Sequence, residues 1–427
     1  MTHPDATPGR PADRPVDAVV IRPAPGSRRL AAALARNGIA VRTGPAPTGD
    51  PDRTLVITDP AGHLPLAVFD GLAARVGTFR AARLLQAPLD VDAQRKAEEH
   101  QLRLTKPPGS LGWLEAVGTQ LAGIAAAVPP PMPRPAVVAV FAGDHGVHAQ
   151  GVSPWPQDVT AQMVGNFVAG GAAINVLARQ AGAEVLVVDV GVASALPETP
   201  DLLVRKVRAA TADLSLGPAM TTDEARQALD VGAEVAARLV RRGARCLVTG
   251  DMGIANTTPA AALIAALTDR PASGVTGRGT GIDDDRFRRK AALVAAAADR
   301  ARARHGADAL GILAEVGGLE HAALAGFVAG ATALQVPVVI DGVISASALL
   351  IASRLVPGVE HGVIAGHRSV EPGASAVLGE LGLRPMLDLD LRLGEGTGAA
   401  LALPLVEAAA RVLSEMATFD EAGVTEK

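Results

Sequence analysis

The sequence predicts an α/β protein: a mostly parallel open sheet covered by helices, Rossmann-like, with a small α/β extension at its N-terminus. Three observations carry this. Five short apolar runs, Ala136–Ala142, Glu184–Val190, Arg245–Thr249, Val336–Ile340 and Gly362–Ala365, lack polar alternation, as strands buried on both faces do. Long helical segments separate them, the pattern of an open sheet with covering helices. Polar residues gather where the apolar runs stop, which places a ligand at the carboxyl ends of the strands.

Composition bounds the rest. At 427 residues the chain predicts one large domain plus smaller pieces. The net charge of −4 points to neither a nucleic-acid partner nor a membrane surface. A single cysteine, Cys246, excludes a disulfide framework or a cysteine-based metal site within one chain. The first residues are polar and proline-rich rather than charged and then apolar, and apolar runs are broken before membrane-spanning length. A soluble, cytoplasmic protein is expected.

In chain order, Met1–Arg14 has the composition of a disordered segment. A small unit follows, with strands at Ala18–Ile21, Ile39–Arg42 and Leu55–Thr58 and helices at Ser27–Arg36 and Phe69–Leu85. Pro23, Pro25, Pro45, Pro47, Pro51 and Pro60 make it loop-rich. Residues 1–90 carry no chemical constellation and read as an extension; residues 91–427 read as the catalytic region. A charged helix from Asp90 leads into the rigid turn Thr105–Glu115, and Pro129–Pro135 forms a second joint. The covering helices are expected at Ala161–Gln180, Thr222–Arg242, Ala260–Thr268, Arg286–Arg304, Glu320–Leu334 and Ser345–Arg354, with a last helix at Ala400–Met416.

The strand ends supply Asp144 and His145, then Asp189, Asp251, Asp341 with Ser345, and His367 with Glu371. An aspartate there is ordinarily a cap or turn former, but five such ends favour a shared polar cleft. Adjacent residues on a strand point in opposite directions, which argues against joint metal ligation by Asp144 and His145. From Cys246 a strand stops at a glycine loop through Asp251, Gly253 and Asn256 and becomes an alanine-rich helix. Thr257 or Thr258 can cap it and Pro259 suits its first turn. Such a loop presents free N–H groups to an anion, although it is also compatible with an ordinary strand-to-helix turn. The run Asp283–Asp285 reads as a cap for the helix from Arg286. Gly277–Gly281 can approach a phosphate, and Lys290 can add a positive charge. Glu395 lies between Gly394 and Gly396 ahead of a small-residue helix. Apolar neighbours would raise its pKa, useful for a base, and the glycines would let a substrate ring approach. A carboxylate capping that helix is the plainer alternative.

Nine motifs occur in order: T-K-P-P-G-S-L-G, G-D-H-G-V, G-V-S-P-W-P-Q-D-V-T-A-Q-M, G-G-A-A-I-N-V-L-A, V-D-V-G-V, M-G-I-A-N-T-T-P-A-A-A-L, V-G-G-L-E, D-G-V-I-S and R-L-G-E-G-T-G-A-A-L-A. Together, from Leu102 to Phe419, they closely resemble the nicotinate-nucleotide–dimethylbenzimidazole phosphoribosyltransferases. The resemblance implies transfer of 5-phosphoribosyl from nicotinate mononucleotide to 5,6-dimethylbenzimidazole, releasing nicotinate and forming α-ribazole 5′-phosphate for cobalamin. It implies Glu395 as general base, phosphate contacts from Gly253, Asn256, Thr257 and Lys290, and a base pocket drawing on Ser153, Gln162 and Leu393. Many members carry Glu where this chain has Asp251, so Asp251 is implied to be auxiliary. No metal and no cofactor is implied, and a homodimer is. The rival reading is a nucleotide-binding regulatory protein that kept the fold without the chemistry. A dehydrogenase is disfavoured because no G-x-G-x-x-G follows the first two strands. Classical phosphoribosyl-diphosphate enzymes are disfavoured because the acidic run here opens a helix.

Overall fold

Parallel strands need crossover connections, and helices between the strands provide them. The computed structural model describes residues 16, 18–21, 27–42, 54–57, 64–197 and 199–425. The expectations for Met1–Arg14 and for Pro23, Pro25, Pro45, Pro47, Pro51 and Pro60 lie outside those residues.

The extension comprises β1 (Ala18–Ile21), α1 (Ser27–Arg36), β2 (Ala40–Arg42), β3 (Thr54–Ile57), α2 (Leu64–Val76) and α3 (Thr78–Leu85). Its three strands pair in parallel in the order β2-β1-β3. The single helix expected over Phe69–Leu85 is two, because Gly77 at φ 86° breaks it. Next come α4 (Val91–Arg103), N-capped by Asp90, and α5 (Trp113–Ala125).

The main body runs β4 (Ala136–Gly143), α6 (Val159–Val168), α7 (Ala173–Ala181), β5 (Ala183–Gly191), β6 (Leu202–Val204), α8 (Thr222–Arg241), β7 (Cys246–Met252), α9 (Thr257–Leu267), α10 (Ala272–Val275), α11 (Asp284–His305), α12 (Ala309–Val316), α13 (Leu319–Ala333), β8 (Val338–Ile340), α14 (Val343–Leu355), β9 (Val363–Ala365), α15 (Pro372–Glu380), α16 (Thr397–Glu415) and α17 (Phe419–Ala422). Its sheet is parallel throughout, in the order β6-β5-β4-β7-β8-β9. The chain winds from β4 outward through β5 and β6, then returns to the other side of β4 for β7, β8 and β9. The strand order therefore reverses between β4 and β7, and ligands of such sheets sit in the crevice outside the strand ends at that point. Phe141 pairs with Asp251 and Ala142 with Met252, so both strands finish level there.

Three differences from the sequence reading matter for the site. The helix expected over Ala161–Gln180 is α6 and α7, separated at Gly170 (φ 77°) and Gly171, which leaves the N-terminus of α7 free. β7 continues past Thr249 to Met252, so Asp251 is a strand residue and not a loop residue. The following helix begins at Thr257, with Asn256 as N-cap in place of Thr257 or Thr258.

Two apolar clusters flank the sheet. One contains Phe141, Leu229, Leu263 and Phe327 and extends to Phe69, Leu72 and Leu85 of the N-terminal extension. Thr78 Oγ1 and the Phe79 N–H also donate to Asp230 of α8. The second cluster lies between the sheet and α5, α7 and α16. Contrary to the expectation from the sequence, the stretches Val159–Ala181 and Thr397–Glu415 reach the length and mean hydropathy (1.3 each) of membrane-crossing segments. The first is two helices broken by glycines, and 56% of the apolar window of the second is buried inside the protein.

Candidate active site

The cleft at the reversal point encloses about 700 Å³, open solvent at its mouth included. Its walls come from segments far apart in sequence: Ser153, Asp251, the loop Gly253–Thr257, Arg278–Thr280, the start of α14, His367 with Ser369 and Glu371, and Arg392–Gly394.

The loop between β7 and α9 forms one side. Its geometry is set by close packing: a Cβ at Gly253 would collide with the Gly143 carbonyl oxygen. The Ile254 N–H donates to Thr160 Oγ1 (3.1 Å), which ties the loop to α6. No side chain caps α9; the Thr258 N–H donates to the Ala255 carbonyl (3.0 Å) and Pro259 has no N–H, so in the first turn the Thr257 N–H is left for an anion, where the helix dipole also favours negative charge. Asn256 does not cap the helix through its side chain. Its Nδ2 donates to Asp251 Oδ2 (2.9 Å) and so orients the carboxylate.

Lys290 of α11 is almost fully buried and does not line the cleft. Its ammonium donates to Thr257 Oγ1 (2.8 Å) and to the Gly277 carbonyl (3.0 Å), tying the start of α9 to the glycine-rich loop Gly277–Gly281. Burial pushes its pKa down to about 8 against the opposing charge of Glu371. Glu371 holds the same glycine loop from the other side, accepting from the Gly279 N–H at 2.7 Å. A Cβ at Gly277 would overlap that carboxylate, so the loop needs a glycine there. Asp283 caps α11 by accepting from the Arg286 N–H (2.8 Å), as its position ahead of the helix suggests.

Glu395 sits in a turn in which Gly394, Glu395 and Gly396 all have positive φ (84°, 65° and 98°). For a non-glycine residue this conformation costs about 1–3 kcal/mol and persists only where its surroundings enforce it. The enforcement is visible. A Cβ at Gly250 would lie 2.5 Å from the Glu395 carbonyl oxygen, and one at Gly396 would lie 2.9 Å from Val138 Cγ1. Gly396 thus lets the turn lie on β4 and β7, while Gly394 lines the cleft. The Glu395 carboxylate accepts the Ile174 N–H (3.3 Å) at the start of α7, the terminus created by the Gly170–Gly171 break. It is only 6% exposed and is not among the residues lining the cleft, which the turn reaches through Gly394. Burial raises its pKa, the Ile174 N–H opposes this, and the charge of Asp341 raises it further.

Asp251 lies beside this turn: a Cβ at Gly394 would be 3.4 Å from its carboxylate. Its Oδ1 is buried and has no hydrogen-bond partner among the described residues. Burial, then Asp341, Glu320 and Glu395, push its pKa well above the usual carboxylate range, with the Asn256 amide opposing. Beneath the loop lies a fully buried cluster in which Glu320 Oε1 is 2.8 Å from both His145 Nε2 and His321 Nδ1. Burial alone would raise Glu320, but the two imidazoles outweigh it and hold the carboxyl far below its ordinary range. Asp144 and Asp189 accept backbone N–H groups after β5 and serve as turn formers. Among the described residues no group of three or more His, Cys, Asp or Glu side chains is arranged to hold a metal ion.

Of the residues singled out for a base pocket, Ser153 and Leu393 line the cleft, and Leu393 is 60% exposed. Gln162 is exposed on α6 and is not part of the lining. Arg278, Arg392 and Ser369 line the cleft without having been read from the sequence. Arg278 lies within the loop Gly277–Gly281 and Arg392 just before Gly394, and both stretches were read, which was the available signal. Thr160 carried none.

A phosphoribosyltransferase family model matches residues 86–424. The chain is 57% identical over 354 residues to the nicotinate-nucleotide–dimethylbenzimidazole phosphoribosyltransferase of Salinispora tropica, covering 80% of this chain and 97% of that one. It is 55% identical over 343 residues to the enzyme of that name from Chloroflexus aggregans, covering 80% and 96%. The crystal structure of the Thermus thermophilus protein of that name superposes with a TM-score of 0.74 at 49% identity, covering 79% of this chain and all of that one.

Proposed function

The chain belongs to the nicotinate-nucleotide–dimethylbenzimidazole phosphoribosyltransferase family, and from that premise we propose that it transfers 5-phosphoribosyl from nicotinate mononucleotide to 5,6-dimethylbenzimidazole, with Glu395 as general base. The products are nicotinate and α-ribazole 5′-phosphate. The bond between the ribose C1′ and the pyridinium nitrogen breaks with its electron pair going to that nitrogen. The cationic ring thereby leaves neutral and needs no acid. A benzimidazole nitrogen forms the new bond on the opposite face, and the other nitrogen loses its proton. One carboxylate base is sufficient for that proton.

The observation that carries this reading is the Gly394–Gly396 turn. It holds a buried carboxylate of raised proton affinity beside a cleft that is lined both by its neighbour Gly394 and by the start of α9. The donor's 5′-phosphate belongs at that terminus, with Gly253, Asn256 and Thr257 around it and Lys290 fixing the loop from behind. Ser153 and Leu393 form the rim against the aromatic base. A homodimer working in the cytoplasm completes the proposal, and sedimentation velocity tests the dimer.

The decisive experiment is Glu395→Gln, which keeps size and removes the proton acceptor. Turnover should fall ~10²–10⁴-fold with binding of nicotinate mononucleotide retained. A second reading makes Asp251 the base. It is favoured by Asp251 lining the cleft with an unpartnered oxygen. On that reading Asp251→Asn is the more damaging change and Glu395→Gln the milder.

A further inference from the structure

We propose that Asp341 is a positioning residue for the transfer reaction: its buried carboxylate anchors the turn that carries Glu395 and, through His367, couples that turn to the cleft wall. This rests on Glu395 being the base. Asp341 follows β8, where its own N–H donates to Thr249 Oγ1 of β7 (3.1 Å), so its backbone is fixed to the strand beneath the site. Both carboxylate oxygens are used. Oδ2 accepts the Gly396 N–H (3.2 Å), and Oδ1 accepts the N–H groups of Gly398 (2.8 Å) and Ala399 (3.0 Å). These are the donors that the first turn of α16 leaves without intrahelical partners. The side chain has no exposed surface and is absent from the cleft lining, so it acts through other groups.

His367 is the link outward. Its Nε2 lies 3.3 Å from Asp341 Oδ1, while the residue itself lines the cleft. A Cβ at Gly398 would overlap the imidazole ring at Cδ2, so ring and carboxylate grip the same helical turn. Burial alone would lower the pKa of His367, but the hydrogen bond and charge of Asp341 raise it overall.

The charged surroundings of Glu395 come from several elements. Asp341 after β8 raises its proton affinity, and the Ile174 N–H from α7 opposes. Asp251 on β7 interacts with both Glu395 and Asp341, and Glu320 at the start of α13 bears on Asp251. His367, after β9, balances Asp341. Arg392, in the loop before Glu395, is exposed.

The test uses the full chain with Asp341→Asn and His367→Gln, and Glu395→Gln as reference. Read out kcat, KM for nicotinate mononucleotide, the pH profile of kcat/KM, and thermal unfolding. Asp341→Asn should lower kcat about 10²-fold by releasing the turn, with KM little changed because the phosphate loop is untouched. Its acid limb should move to lower pH, since the like charge beside the base is gone. His367→Gln leaves Asp341 uncompensated and should move the limb upward. Folded Asp341→Asn enzyme with wild-type kcat, or with lowered kcat and an unmoved limb, overturns the proposal. If Asp341→Asn does not fold, an unmoved limb in His367→Gln overturns it alone. Full activity in Glu395→Gln would instead refute the general-base reading.

Discussion

Gly250→Ala is a demanding test of the active-site geometry, because Gly250 lies within β7, buried, and does not line the cleft. The added methyl would sit 2.5 Å from the Glu395 carbonyl oxygen and 3.0 Å from Val140 Cγ2. Ordinary contact begins near 3.4 Å, so the Glu395 turn must retreat by about 0.9 Å while β7, paired on both sides, holds its place. A misplacement of about 1 Å in a catalytic group can lower the rate ~10²-fold. Overpacking a filled interior also costs about 1–3 kcal/mol, which a large domain survives. Initial-rate measurement of nicotinate release from nicotinate mononucleotide, at saturating 5,6-dimethylbenzimidazole, gives kcat. Thermal unfolding on the same samples gives stability. We expect kcat to fall by one to two orders of magnitude, with KM for the nucleotide within a few-fold of wild type. Wild-type kcat in a folded Gly250→Ala enzyme would show that the turn does not place the base.

Further predictions follow from charge and packing. Lys290 is neutralised as pH rises through about 8, so its grip on Thr257 should weaken and KM for nicotinate mononucleotide should rise on the alkaline side. Lys290→Met should remove that limb of the KM profile. The raised pKa of Glu395 predicts that kcat/KM falls on acidification above the ordinary range of a glutamate, because the protonated form cannot accept the benzimidazole proton. Glu320→Gln should destabilise the fold by about 3–5 kcal/mol at neutral pH, measured by urea unfolding, since two buried imidazoles lose their common partner. Because the folded-state pKa of Glu320 is depressed, its contribution is fully present above the unfolded value and is lost as pH falls below it. A chain beginning at Asp90 should keep its turnover number yet unfold at lower temperature. Its cleft is intact, but it lacks Phe69, Leu72 and Leu85 from the core and loses the Thr78 and Phe79 bonds to Asp230.

By itself the sequence determined what is local. Unbroken apolar runs announced buried parallel strands, because a strand covered on both faces has no reason to alternate. The motif from Cys246 to Leu267 announced a strand, a glycine turn and a helix, because each step is written in burial and backbone freedom. The carboxylate between two glycines marked Glu395 for the same reason. Distances between remote residues were not legible. Ile174 meets Glu395 across 221 residues, and only where the Gly170–Gly171 break leaves a helix N-terminus under the last helix of the sheet's cover. Lys290 read as a cleft cation, but the packing of α11 on α9 turns its ammonium onto Thr257. Of the two glycines that read as room for a substrate, Gly394 lines the cleft, but Gly396 is room for a second backbone, because the turn presses on β7 at Gly250. Asp341 read as one more strand-end aspartate. The strand order, which sets β8 beside β7 and beneath α16, makes it the anchor of the turn. Local patterns record how a residue is buried; which residue it meets there is decided by the winding of the sheet.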